Sequence, residues 1–215
     1  DRAEALIASL RRLGDACSDR RDKVALWMRA GRLAERHGVD AELDYRRVLD
    51  VELTHAGARR ALERVLRAQG AGAELLRFYT DQARLASGME KLHQLTRIAG
   101  VYEQMGRHED AVEILKKVLM LAPDYELARL MLARQARATQ DWETAVEMER
   151  GLAERAPGEA LRLSHLTEAA RLLIDKLDRA EEAEPLLRDI LRLDPAAEGV
   201  YEALRDIYGD ARNQE

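Results

Sequence analysis

Apolar residues recur along this chain at steps of three and four, not at alternate positions. Ala111, Leu115 and Val118 stand at i, i+4 and i+7 and run on to Ala122-Pro123. Ala145, Glu149 and Leu152 stand at the same spacing and run on to Ala156-Pro157. That period places one stripe of side chains along a helix, and no run of alternating β-branched residues argues for a strand. Carried through the chain, the pattern predicts about twelve helices, near 2–16, 22–37, 40–53, 56–69, 73–86, 89–105, 108–121, 125–139, 142–155, 158–177, 179–193 and 197–208. Helix-breaking residues separate them: Gly38, Gly70-Ala71-Gly72, Ser87-Gly88, Gly106, Pro123, Pro157 and Pro195. Asp19 and Asp141 stand where a helix start wants a capping carboxylate.

The stripes also repeat on a longer scale. Ala145 follows Ala111 by 34 residues, and Pro157 follows Pro123 by 34. A fixed period of this length is the mark of stacked helical hairpins, one hairpin per repeat. Trp27, Ala30, Gly31 and Ala34 on one helix, followed by Ala41, Tyr45 and Val48 on the next, give an alternation of large and small residues. Leu95, Ile98, Ala99 and Tyr102, then Gly106, Ala111, Leu115, Val118 and Pro123, repeat it. Leu132, Ala133 and Ala136 with Ala145, Leu152 and Pro157 do so again, and Ala183, Leu187, Ile190 and Pro195 close a further unit.

On these residues the chain resembles the tetratricopeptide repeat family. The resemblance implies an all-α solenoid of five to six antiparallel hairpins, wound as a right-handed superhelix. It also implies a non-catalytic scaffold that binds a peptide or partner protein in a concave groove. We expect a single array over 1–215, with its clearest repeats at 22–55, 92–125, 126–159 and 160–197. Three units depart from the pattern. The unit near Val24 has a shorter loop, with Gly38 to Ala41 a step of 3 against 5 for Gly106 to Ala111. Arg59 and Glu63 replace the residues equivalent to Leu95 and Ala99, and the spacing from Pro157 to Pro195 is 38, which predicts a helix lengthened through Leu177.

Composition narrows the work such an array could do. Hydrophobic residues make up 47%, charged residues 35% and aromatics 4%, with a formal net charge of −5. An acidic, lysine-poor chain with few aromatics lacks the charge and stacking platforms of a nucleic-acid track. Arginine far outnumbers lysine, which occurs only at positions 23, 91, 116, 117 and 176, as expected of a GC-rich bacterial genome. The single Cys17 excludes an internal disulfide and a cysteine-based zinc cluster. No apolar stretch is long enough to span a membrane. These features point to the cytoplasm, although a first residue other than Met leaves a targeting segment open, and we expect the chain to be part of a larger protein.

No catalytic constellation emerges. His37, His55, His93, His108 and His165 lie at helix ends or on polar faces. His165 and Glu168 are three apart without a third ligand nearby in sequence. Gly70-Ala71-Gly72 lacks the Gly-Lys-Ser/Thr that a phosphate loop needs. We therefore expect no enzyme activity, no cofactor and no metal.

One row of residues does suggest a surface. Beside the core stripe of successive first helices stand Arg29, Arg32 and Arg36, then Arg60, Arg64 and Arg67, then Arg97, then Leu130, Met131, Arg134 and Arg137. Facing a groove, they would make it basic, suited to an acidic peptide, with Leu130 and Met131 as an apolar pocket. The competing reading pairs these arginines with acids at i+4 or across hairpins, where each pair contributes a few tenths of a kcal/mol. A second surface is the stripe Tyr201, Leu204, Ile207 and Tyr208 on the last helix, which suggests self-association and leaves a homo-oligomer open.

Overall fold

The computed structural model describes residues 2–213, with side chains throughout except at 198 and 210–213. Among the described residues there are twelve helices and no strand. The helices divide between two compact units, 1–81 and 82–215.

The first unit holds α1 (Arg2–Ala16), α2 (Arg20–Arg36), α3 (Glu42–Val51), α4 (Ala56–Ala68) and α5 (Gly72–Leu85) as far as Asp81. Consecutive helices from α1 to α4 pack on one another. Asp19 caps α2, its carboxylate accepting from the amides of Arg21 and Asp22 at 2.8 and 3.0 Å. Ile7, Leu10, Trp27, Ala30, Ala34, Tyr45, Val48, Leu62, Leu66 and Tyr79 form the buried apolar set. One charge is buried with them. Asp44 on α3 is fully covered and receives both Nε and Nη2 of Arg11 on α1, at 2.9 and 2.7 Å. A paired fork of this kind satisfies the carboxylate and ties α1 to α3 across α2.

The second unit continues with α6 (Gly88–Gln104), α7 (His108–Leu121), α8 (Glu126–Ala138), α9 (Trp142–Arg155), α10 (Glu159–Asp175), α11 (Ala180–Leu193) and α12 (Glu198–Asn213). Each packs against the next. Ala99, Ala111, Leu115, Val118, Leu132, Ala133 and Leu152 make one core cluster, and Ala170, Leu172, Leu173, Ala183, Leu187 and Ile190 belong to another. The long spacing before Pro195 falls where expected: α10 has 17 residues against 13 for α8. The last helix runs past the expected end at Tyr208, to Asn213.

The turn inside each hairpin follows one rule. A residue in the left-handed region ends the first helix, at Gly38 (φ 67°), Gly70 (65°), Gly106 (71°), Gln140 (59°) and Asp178 (54°). The next amide then reaches back to an orphan carbonyl: Val39 to Ala34, Ala71 to Leu66, Arg107 to Tyr102 and Asp141 to Ala136, at 2.8–3.0 Å. This closure satisfies the helix end and reverses the chain. The glycines adopt it without strain, whereas Gln140 carries a Cβ into it.

Candidate partner-binding surfaces

In each hairpin the first helices are α2, α4, α6, α8 and α10, and their outward faces carry the arginines singled out from the sequence. The structure separates these into two groups. Arg64 on α4 grips Glu35 on α2 with Nε at 3.0 Å and Nη2 at 2.8 Å. Arg67 donates to the Tyr79 hydroxyl at 3.0 Å and pairs with Glu63 at 3.2 Å. Arg134 on α8 pairs with Glu103 on α6 at 2.6 Å. Arg137 bridges Glu149 on α9, at 2.8 Å, and Glu168 on α10, at 3.1 Å. Arg97 also has a partner. Arg64, Arg67, Arg134 and Arg137 are engaged within their own unit, and the exposed pairs contribute little stability each.

Arg29, Arg36 and Arg60 differ. No hydrogen bond or ion pair engages them among the described residues, and all three are exposed. Arg32 donates its Nε only to the Met28 carbonyl one turn back, at 3.2 Å. Arg29, Arg32 and Arg36 line an open cleft of about 440 Å³ whose apolar wall is Leu33 and, from α1, Leu6. Leu6 escapes sequence reasoning, because its place beside α2 depends on how α1 packs.

In the second unit a larger cleft, about 660 Å³, opens between α8 and α10. Leu130, Ala160 and Leu163 give it an apolar lining, and Arg137, His165 and Glu168 a polar side. Leu130 is 41% exposed, while Met131 packs partly into the core beneath. Leu127 and Leu161, 34 residues apart and both exposed, extend the apolar character along α8 and α10.

The polar side is built on a glutamate in a core position. Glu149 follows Leu115 by one repeat of 34 residues and, like it, is buried, with its side chain 5% exposed. It accepts from Arg137 and meets His165 Nδ1 at 2.7 Å, so three helices converge on one carboxylate. Glu168, held by paired hydrogen bonds from Arg171 and also by Arg137, sits below the usual carboxylate range, although burial pushes the other way. The period-matched replacement of leucine by glutamate was the visible signal for this network. Its partners, on α8 and α10, were not visible. Asp141 caps α9 by accepting from the Thr144 amide at 3.2 Å, and Trp142 packs partly into the core with Lys176 over its ring.

The C-terminal stripe divides in two. Leu204 and Ile207 are buried in the core cluster with Leu187 and Ile190 of α11, so neither is available as a free surface. Tyr201 and Tyr208 remain exposed at their rings, but their hydroxyls are engaged. Tyr201 donates to the Pro195 carbonyl at 3.1 Å, and Tyr208 donates to Glu184 at 2.8 Å while accepting from Arg188 at 2.9 Å. The physical reason is ordinary: an amphipathic helix after a hairpin turns its stripe onto its own neighbour.

Among the described residues no helix is long and apolar enough to cross a membrane, and no three His, Cys, Asp or Glu side chains gather as a metal site. Residues 102–167 match the tetratricopeptide repeat family model. No curated protein matches the chain. Among solved structures, YrrB, described as a tetratricopeptide repeat protein with an unusual peptide-binding site, is 17% identical and superposes with a TM-score of 0.51, over 84% of this chain and 91% of that one. The C-terminal part of a repeat-containing protein from Cytophaga hutchinsonii is 22% identical, with a TM-score of 0.57 over 84% and 73%. The Naa15/Naa10 complex bound to HypK-THB is 19% identical, with a TM-score of 0.60 over 94% of this chain but only 33% of the other. At such identities the likeness is one of fold. Built of hairpins of this construction, the chain is an all-α helical repeat protein, and its residues 102–167 are those that match the tetratricopeptide repeat.

Proposed function

We propose that this chain is a non-catalytic scaffold that takes a peptide segment of a partner protein along the exposed faces of its first helices. The observation that carries this is the cleft between α8 and α10, apolar at Leu130, Ala160 and Leu163 and polar at Arg137, His165 and Glu168. An open cleft with an apolar lining and a few fixed polar groups suits side chains of a bound segment. YrrB, a protein of similar fold with a peptide-binding site, supports the same use here. The His165–Glu149 pair supports a structural reading of the polar side, because its carboxylate is also committed to Arg137 and is buried beneath the cleft.

The test is a selection of peptides from a random displayed library on the whole chain, followed by affinity measurement on Leu130→Asp. Leu130 is half-exposed, so the variant should keep the helical circular dichroism of the parent. Selected peptides should lose at least tenfold in affinity. If every selected peptide binds the variant as tightly as the parent, this face is not the binding surface.

A further inference from the structure

We infer that the cleft between α7 and α9 is a self-association surface, covered by the same cleft of a second copy of this chain about a two-fold axis. It lies on second helices, apart from the first-helix face read above as the peptide surface, and neither reading rests on the other.

The repeat shows what this face ordinarily carries. Three residues before the closing prolines stand Met120, Glu154 and Arg192, and Asp50 holds the same place two residues after Val48, as Met120 does after Val118. All four positions are exposed. Three repeats fill the position with a charge, the ordinary choice for a side chain in water, and one fills it with methionine. Met120 is 82% exposed, more than any other large apolar side chain among the described residues, and Leu121 beside it is 61% exposed. With Leu119 and Pro123, Met120 flanks an open cleft of about 520 Å³, into which the buried Leu132 and Met148 also face. An apolar patch with a flexible methionine at its lip is the make-up of a contact surface.

The charges on the two rims select the occupant. The α7 rim carries Lys116, with Lys117 next to it, and the α9 rim carries Glu147. Lys116 stands 3.6 Å from Asp141, whose carboxylate is already committed to Thr144 at the start of α9. Glu147 is exposed, and no hydrogen bond or ion pair engages it among the described residues. Arg129, which also borders the cleft, is folded onto the Pro123 carbonyl at 2.5 Å. As second helices of successive hairpins, α7 and α9 run in the same direction. A two-fold axis along the cleft therefore lays α7 of each copy on α9 of the other. Lys116 then meets Glu147 twice, and Met120 of each copy covers the cleft of the other. A partner of one sign would meet a like charge on one rim, whereas a second copy meets an opposite charge on both.

The test is sedimentation velocity of the whole chain from micromolar to near-millimolar concentration. The parent should form a concentration-dependent dimer. Met120→Asp, at a site exposed enough to leave the helical circular dichroism unchanged, should weaken the dimer by about tenfold or more. Lys116→Glu and Glu147→Lys should each weaken it by a similar factor, because each sets like charges across both contacts. An equimolar mixture of those two single variants should dimerise again, as should the Lys116→Glu, Glu147→Lys double variant, since both restore opposite charges. A parent that stays monomeric overturns the inference. So does a dimer that Met120→Asp leaves intact, or a pair of folded charge variants that do not complement one another.

Discussion

Replacing Gly31 by alanine should destabilise the first unit, although alanine is the better helix former. Gly31 lies within α2, where its missing Cβ admits the ring of Tyr45 from α3. A Cβ built there would stand 2.8 Å from both Cε1 and Cζ of that ring, and 3.3 Å from Asp44 Cβ. Restoring ordinary contact at 3.4 Å requires the ring to retreat by about 0.6 Å. It has nowhere to go. Tyr45 is fully buried, and its hydroxyl donates to Glu35, which Arg64 holds from the other side. Asp44 is likewise pinned by Arg11. Overpacking a rigid site costs about 1–3 kcal/mol, and a strained or broken hydrogen bond about 1 kcal/mol more. The gain in helix propensity returns about 1 kcal/mol. The net expectation is a loss of roughly 1–3 kcal/mol.

Urea unfolding followed by far-ultraviolet circular dichroism measures the change, with hydrogen exchange to place it in α2 and α3. The decisive control is the same substitution beside Tyr45→Leu, where the ring is gone. There Gly31→Ala should be neutral or stabilising, by up to about 1 kcal/mol. If Gly31→Ala stabilises the parent chain, or costs the same in both backgrounds, the close approach of ring and backbone is not what requires glycine.

Three further outcomes follow from the second unit and the turns. Glu149→Ala should cost about 2–3 kcal/mol in chemical unfolding, because it leaves His165 and half of Arg137's pairing unmet at a buried position; Glu149→Leu, which restores the residue type of the preceding repeat, should cost less than the alanine, and a larger cost would refute the repeat-position argument. Gln140→Gly should raise the thermal midpoint, with a gain of roughly 0.5–1 kcal/mol from relieving a side chain at φ 59°, and no gain would mean the turn holds Gln140 without strain. Glu168, whose carboxyl is depressed by Arg171 and Arg137, contributes stability that is present above its ordinary value of 4.5 and is lost as the pH falls through the lower folded-state value, so Glu168→Gln should flatten the acid limb of a stability–pH curve and leave the neutral plateau no steeper.

The helices were legible because they depend on local rules. Gly38, Gly70 and Gly106 announced their turns, and the stripe of Ala111, Leu115 and Val118 announced its buried face. Gln140 and Asp178 take the same left-handed conformation without a glycine to mark it, so those turns were legible only through the period. The ends of the arginine row were legible as positions but not as states. Whether a guanidinium is free depends on an acid about one repeat away: Glu35 is 29 residues from Arg64, and Glu103 and Glu168 are each 31 from Arg134 and Arg137. Helical spacing rules reach only four residues and cannot see that pairing. The apolar stripe on α12 was misleading for a related reason, since a stripe says that a face is covered and not by what.

That distance also explains the character of the cleft beside α8. Stacking sets first helices side by side, so an arginine on one can meet a glutamate on the next, and Arg64 and Arg134 each find one on the first helix before their own. The cleft beside α8 has therefore been neutralised within its own unit: Arg137 is shared between Glu149 and Glu168, and what remains open to a ligand is chiefly Leu130, Ala160 and Leu163. Beside Arg29, Arg32 and Arg36 on α2 lie Leu33 and, from α1, Leu6. The positions of a few glutamates on successive first helices thus decide which guanidiniums of the array are neutralised from within and leave its apolar side chains as the open surface.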